Sequence, residues 1–231
     1  MSTERRKVRF VSGDTECAAW HYPESSGACV VIAARNPELA AAIAQTPNAD
    51  GPAAARNAAR HQKPLAMLRF SGRGALDAIG GLAGRRPRLV PLAGEPGTVA
   101  LLTTPDALDG GRALNPDNRY PDWRQAVAAR SALRIGFYRP GRYASRVRCP
   151  LLVVVCDQDQ SALAGPAAGA ARRAPRAELV RLAGGHYAPF LDGHEQAAEA
   201  ELSFLRRHLL DHAHADRTAA VASVPNLGGR P

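Results

Sequence analysis

The sequence predicts an α/β fold, with a mostly parallel sheet and helices on both faces. Leu151 to Val155 is an apolar run between Pro150 and the polar cluster 157–159, as expected of a buried strand. A helix then ends near residues 172–175, and residues 177–182 have the pattern of a second strand. Strand, helix and strand in this order are typical of a parallel sheet whose crossover helices cover its faces.

The N-terminal part supplies further elements in order. Residues 8–22 read as two antiparallel strands around the turn Ser12-Gly13-Asp14. Residues 28–33 and 40–46 are short apolar runs, and we interpret each as a strand. Residues 48–63 begin with a Pro/Gly turn and continue as an alanine-rich helix.

The middle and C-terminal parts are less regular. Residues 64–84 have helical spacing interrupted by glycines, and residues 120–135 indicate a helix. The last predicted helix spans 192–210, with Asp192 as its N-cap and Leu202, Leu205 and Leu209 on one face. Residues 211–231 lose the apolar pattern, and we expect a disordered tail there.

Two chemically important side chains follow the two C-terminal strands. Asp159 comes just after the first strand and His186 just after the second, in the turn Gly184-Gly185-His186. Carboxyl ends of parallel strands meet at one edge of a sheet, so the two side chains should lie within a few ångströms of each other. Such a pair is the acid and base half of a catalytic triad. Asp157 is the alternative acid.

The pattern resembles the α/β-hydrolase superfamily of esterases, lipases and serine peptidases. The resemblance covers most of residues 8–210, in two pieces around residues 33–35. It implies Asp159 as the catalytic acid and His186 as the base, and it implies that residues 64–148 form a lid and a linker. The sequence has no metal-type spacing of cysteines, and we expect no cofactor and no metal.

The chain departs from the family because no nucleophile is identifiable. The Gly-x-Ser-x-Gly elbow and the oxyanion turn should lie between the two pieces, and the sequence lacks both. Ser71 is flanked two residues away by Arg69 and Arg73, where the elbow needs small residues. Ser12 belongs to a hairpin turn, and Ser161 reads as a loop or capping residue.

The missing block has a consequence for the sheet. Parallel neighbours need a crossover of about a dozen residues or more, and residues 34–39 are too few. Strands at 28–33 and 40–46 would therefore pair as an antiparallel hairpin, or part of the sheet would be disordered. We expect a partial fold that lacks its central strands, in one truncated domain over residues 1–210.

Composition narrows the functional classes. The chain has 231 residues, a net charge of +9 and 5% aromatic residues, so any attraction to polyanions is a general charge effect with few rings for base stacking. No apolar run is long enough for a membrane span, and no signal-peptide pattern is visible, which favours the cytoplasm. The four cysteines have no Cys-x-x-Cys spacing and are expected to be buried free thiols.

These observations predict a hydrolase of ester or amide bonds by descent, impaired or inactive in this chain. Its partner would be a small-molecule ester or amide, with no specific nucleic acid and no membrane. The alternative is a non-enzymatic remnant or a basic polyanion-binding protein. The sequence indicates neither the acyl substrate nor the oligomeric state.

Overall fold

A three-stranded parallel sheet lies at the centre of the fold. The computed structural model describes residues 6–12, 15–21, 26–123 and 125–210. The strands are β3 (Ala42–Gln45), β6 (Leu151–Cys156) and β7 (Ala177–Leu182), in the order β3-β6-β7. Every residue of β6 is buried, as its continuous apolar sequence predicts for a strand covered on both faces.

Helices cover both faces of this sheet, as predicted. On one face α1 (Ser26–Arg35) and α6 (Ala164–Arg173) pack over Leu151, Val153 and Val155. On the other face α7 (His194–Leu205) places Phe204 against Leu152 and Val154. The alternation of side chains along β6 divides the core into these two clusters.

The N-terminal hairpin is also as predicted. Strands β1 (Arg6–Ser12) and β2 (Thr15–His21) pair antiparallel, with Ser12 opposite Thr15. This pair forms a separate two-stranded sheet. The predicted tail at 211–231 lies outside the described residues.

The predicted strand at 28–33 is wrong, because these residues lie in helix α1. The hairpin with residues 40–46 is therefore wrong as well, and β3 pairs parallel with β6. A strand at this position would need a hydrogen-bonding partner, whereas a helix satisfies its own backbone groups. The apolar residues of this segment are still buried, because helix α1 packs Val30 and Ala33 against the sheet.

The segment after β3 is mostly helical. It begins with α2 (Gly51–His61) and α3 (Pro64–Leu82). Further elements are β4 (Leu89–Pro91), α4 (Ala107–Leu114), β5 (Ala126–Ala128) and α5 (Ala129–Ile135). Strands β4 and β5 pair antiparallel, and α3 packs on α5.

Helix boundaries differ from the sequence prediction at three places. Residues 64–82 form one continuous helix despite their glycines, because its inward side packs on α5. The helix predicted at 120–135 is shortened to α5, because residues 126–128 pair with β4. The predicted closing helix begins at His194 and becomes a π-helical turn at Arg206–Leu210.

The start of α7 also differs in its cap. The N-cap is Gly193 and not Asp192. The Gly193 N–H donates to Ala188 O at 2.8 Å in the preceding turn, and the helix begins at the next residue, His194. Ala197 and Phe204 lie on the buried face of the helix. Leu202 lies on another side and is half-exposed. The predicted leucine face is therefore wrong at that position.

Asp77 connects the elements around α3. It is 2% exposed and accepts hydrogen bonds from the backbone N–H groups of Arg88 at 2.7 Å and Arg130 at 3.0 Å. Burial opposes its ionisation, but these bonds and the positive charges of Arg130 and Arg88 lower the pKa of Asp77 below its usual value. One carboxylate thus holds α3, the segment before β4 and α5 together.

The start of α2 is fixed in a similar way. Asp50 caps the helix by accepting the Ala53 N–H at 3.0 Å, and the Arg139 guanidinium binds the other carboxylate oxygen at 2.7 and 3.1 Å. The Gly51 N–H donates to Tyr138 O at 2.7 Å. The backbone of residues 135–138 therefore lies directly against the first turn of α2.

No helix among the described residues is long and apolar enough to cross a bilayer.

Candidate active site

Asp159 lies in the loop after β6 and is held by backbone groups. Its Oδ1 accepts the N–H groups of Ser161 at 2.8 Å and Ala162 at 2.7 Å. The residue is 6% exposed, so these bonds satisfy a carboxylate that water cannot reach. The turn is local in sequence, which is the usual behaviour of an aspartate that bonds the backbone two and three residues ahead.

The loop after β7 carries His186 and is fastened to the Asp159 loop. Gly184 has a φ of +96°, a left-handed conformation that glycine adopts without a steric penalty. Gln158 N–H donates to Gly184 O at 3.0 Å, and the Gly184 N–H donates to the Gln158 side-chain oxygen. These reciprocal bonds fix the two strand tips relative to each other.

The two loops bring the predicted pair together. His186 Nδ1 lies 2.8 Å from Asp159 Oδ2, which confirms the predicted proximity. An ionised carboxylate only accepts hydrogen bonds, so Nδ1 carries the proton and its N–H donates a hydrogen bond to Asp159. In neutral His186 the lone pair is therefore on Nε2, the atom that a general base presents to its substrate. The alternative acid, Asp157, forms an exposed ion pair with Arg181 instead.

Two residues that sequence reasoning missed lie against His186. Asp106, at the start of α4, has Oδ2 at 3.4 Å from the His186 N–H, and its Oδ1 is buried with no hydrogen-bond partner among the described residues. The Tyr187 ring meets the His186 ring edge-on at 5.1 Å. Burial, and then the charges of Asp106 and Asp159, raise the pKa of Tyr187 to about 12, so its hydroxyl stays neutral.

Gly110 of α4 leaves the space for that tyrosine. A Cβ at this glycine would lie 2.0 Å from the Tyr187 ring. The helix therefore approaches the His186 loop closely, and Asp106 reaches the loop from its first turn. No local sequence pattern predicts this contact, because residues 106–110 and 186–187 are far apart in the chain.

None of the described serines takes the position of a nucleophile. Ser71 lies within α3, in helical backbone and not on a strand-to-helix turn. The Ser161 hydroxyl is hydrogen-bonded to the Thr104 hydroxyl at 2.8 Å. Among the described residues, no serine or cysteine is hydrogen-bonded to His186 Nε2. The side chain of Ser12 lies outside the described part of the chain.

Cys29, Cys149 and Cys156 are unpaired thiols. Cys149 and Cys156 are buried, as predicted, and Cys29 is half-buried. Burial and the charges of Asp159 and Asp157 raise the pKa of Cys156 to about 11, and burial and Cys149 raise that of Cys29 to about 12. A thiol is a weak nucleophile until it is deprotonated, so these residues are poorly suited to attack a carbonyl at neutral pH.

An apolar pocket of about 420 Å³ opens beside the Asp159 loop. Its wall includes Gln160 and Ser161, the two residues that follow Asp159, together with Thr103 and Thr104. The rest of the wall is mostly apolar and comes largely from α2, α3 and α5, with residues 100–102 and 136–137. Its size suits a small organic ligand. His186 is not part of the wall, so the pocket adjoins the pair through residues 160–161.

The side chains of the described ranges form no cluster of three or more histidine, cysteine, aspartate or glutamate residues that could hold a metal ion.

Comparison with known proteins adds two kinds of similarity. No protein-family model matches the chain. Over 190 residues, or 81% of its length, the chain is 34% identical to the quorum-quenching protein AidA of Acinetobacter baumannii (strain MDR-ZJ06). The match covers 60% of AidA, so the chain spans about three fifths of that relative.

The solved structures settle the fold. The α/β hydrolase GrgF from Penicillium sp. sh18 matches 80% of this chain and 61% of its own, with a TM-score of 0.56 and 19% identity. DcsB, solved in complex with its substrate analogue, matches 80% of this chain and 62% of its own, with a TM-score of 0.60 and 15% identity. This chain therefore has the α/β-hydrolase fold.

The α/β-hydrolase fold is present here in partial form. Its described parallel sheet has three strands, and more than a third of each matched structure lies outside the match. The α/β-hydrolase site expected from the sequence is equally partial: Asp159 and His186 meet at the carboxyl edge of the sheet, without a described nucleophile. The catalytic role of the pair stays a prediction.

Proposed function

We propose that this chain descends from a hydrolase of small ester or amide molecules, and that it retains the acid–base pair and the ligand pocket but not covalent acyl transfer. The observation that carries the proposal is the hydrogen bond between His186 Nδ1 and Asp159 Oδ2. Two additional N–H bonds hold the carboxylate in place, which is the arrangement that orients a catalytic imidazole.

The pocket supports a small, largely apolar ligand. Its wall is formed by short or apolar side chains of α2, α3 and α5, with hydroxyls and an amide near Asp159. The buried Gln160 Oε1 has no hydrogen-bond partner among the described residues, so a ligand N–H or O–H could satisfy it. The similarity to a quorum-quenching protein and to DcsB accords with a small ligand.

Covalent catalysis requires a third group at His186 Nε2. An unactivated hydroxyl is a weak nucleophile at neutral pH, so the orienting carboxylate and the base are insufficient by themselves. Without the nucleophile, the pair can polarise a water molecule or a ligand hydroxyl but cannot form an acyl-enzyme. We therefore expect ligand binding with ester hydrolysis far below that of a complete triad.

The first test is covalent labelling of the full chain. We expect no stoichiometric reaction with a fluorophosphonate probe, because no described serine is activated by His186. Intact-mass spectrometry measures the labelled fraction, with a serine esterase as positive control. Stoichiometric labelling at any serine would contradict the proposal, and labelling at Ser71 would place the nucleophile in α3.

The second test concerns the pocket. Ala58 of α2 lines it, and Ala58→Trp would fill part of the 420 Å³ with an indole ring. Calorimetric titration with phenyl butyrate should give a Kd on the order of 100 µM for the unchanged chain and binding at least about tenfold weaker for the variant.

The matched control for that titration is Arg60→Trp, which adds the same ring to an exposed position of α2 outside the pocket. Its affinity for the ester should stay within about twofold of the unchanged chain. Equal affinity of the Ala58→Trp variant and the unchanged chain would show that the pocket is not the ligand site, whatever the result of the labelling.

A further inference from the structure

Helix α3 has two apolar sides. One side is buried on α5 and includes Ala66, Gly74 and Asp77. The opposite side is exposed, yet it carries Leu65 at 57%, Leu68 at 69%, Leu76 at 56%, Ile79 at 64% and Leu82 at 91% exposure. A surface helix normally has polar residues on its outward side, so this distribution needs an explanation.

Four of these five exposed side chains follow a heptad repeat, and Leu76 is the exception. Positions a and d over 65–82 are Leu65, Leu68, Gly72, Ala75, Ile79 and Leu82, all of them exposed. We call these six residues the outer stripe. Spacings of three and four residues keep such a stripe on one side of the helix, which is the pattern of helices that pack along their length.

The outer stripe is also symmetric about its centre. Leu65 and Leu82 lie at equal distances from the midpoint, as do Leu68 and Ile79, and as do Gly72 and Ala75. A stripe of this kind is complementary to its own reversed copy, because large residues meet large ones and the small central pair allows close approach. A two-fold interface requires this reciprocity, in which residue i contacts j of the second copy and j contacts i.

We propose that the chain forms a homodimer in which the outer stripes of two copies pair antiparallel. Leu68 then contacts Ile79 of the second copy, and Leu65 contacts Leu82. Each copy would bury roughly 600 Å², at the lower end of specific interfaces, so the dimer is reversible and its Kd is on the order of micromolar.

The charge of Arg69 is compatible with this pairing. Arg69 lies beside the outer stripe, and reversal of the second helix places the two Arg69 residues about nine residues apart along the axis, or roughly 13 Å. This distance exceeds the Debye length at physiological ionic strength, so their repulsion is largely screened. A parallel pairing would instead place the two Arg69 residues side by side.

Sedimentation velocity of the full chain over a concentration series tests the proposal. We expect the mass to rise from that of one 24.4 kDa chain to twice that value. Leu68→Glu should weaken the dimer on the order of 100-fold, because it places an unpaired carboxylate against Ile79 of the second copy. Ile79→Lys should do the same for the equivalent reason.

A mixture of the two variants tests the register. In an antiparallel pair, Glu at 68 of one copy faces Lys at 79 of the other, while the remaining Leu68 and Ile79 contact is intact. The equimolar mixture should therefore dimerise, although neither variant does so by itself. Parallel pairing, or another occupant of the outer stripe such as residues 211–231, gives no such restoration.

The control is Leu202→Glu, which makes the same change at a half-exposed leucine of α7 outside the outer stripe. Its mass distribution should match that of the unchanged chain, and circular dichroism verifies that every variant is folded. A chain that stays at 24.4 kDa at all concentrations overturns the proposal, as does a mixture that stays monomeric.

Discussion

Gly51→Ala is expected to destabilise the protein by about 3 kcal/mol. A Cβ at Gly51 would lie 2.1 Å from Ile135 O and 2.6 Å from Tyr138 O. Both contacts are to backbone atoms, so no rotamer change relieves them, and either α2 or residues 135–138 must move. The change in unfolding free energy is measured from urea denaturation at constant m-value.

The control for this change is Gly165→Ala in α6. A Cβ at Gly165 meets nothing within 4 Å, and alanine is the better helix former. We expect Gly165→Ala to be neutral or to stabilise by about 0.5 kcal/mol. Equal effects of the two substitutions would mean that α2 does not lie against the backbone of residues 135–138.

The Gly51 variant should also affect the pocket. Helix α2 and residues 135–137 both contribute to its wall, so a shift of either element changes the shape of the cavity. Ester binding should therefore weaken in Gly51→Ala and stay unchanged in Gly165→Ala, with both measured under conditions where the proteins are folded.

Asp159→Ala is expected to lower the free energy of unfolding by a similar amount, about 3 kcal/mol. The substitution removes the acceptor of the Ser161 and Ala162 N–H groups and of His186 Nδ1. Two backbone donors are then left buried without a partner, and the loops after β6 and β7 lose their link through the carboxylate. Urea denaturation measures the cost, and the NMR signals of the His186 ring report the loss of its orientation.

Asp157→Ala is the matched control, two residues away. Asp157 forms an exposed ion pair with Arg181, and such pairs contribute about 0–1 kcal/mol. Its backbone N–H bond to Leu182 O is independent of the side chain. A larger effect for Asp157→Ala than for Asp159→Ala would reverse the assignment of the acid.

If Asp159 and His186 act on a bound ligand, the loops after β6 and β7 must stay fixed relative to each other. The reciprocal bonds between Gln158 and Gly184 hold these two loops together, and Asp106, at the start of α4, accepts the His186 backbone N–H. The region around α4 thus contacts the base directly.

Local sequence pattern and sheet topology are sufficient to predict one part of this protein, the region around β6 and β7. The continuous apolar run of β6 requires burial on both faces, and this fixes a strand covered by helices. Polar residues just past β6 and β7 must then share one edge of the sheet. For this reason, the proximity of Asp159 and His186 could be predicted from their positions after the strands.

Features that depend on partners distant in sequence follow from tertiary contacts and could not be predicted from local pattern. Residues 28–33 are apolar enough for a strand or a helix, and the lack of a neighbouring strand selects the helix. The roles of Asp77, as a link between α3 and α5, and of Asp106, against the His186 loop, depend on contacts across many residues. The hydrogen-bond donors of a buried aspartate cannot be predicted from its neighbours in sequence, because chain folding and not local propensity brings them within hydrogen-bonding distance.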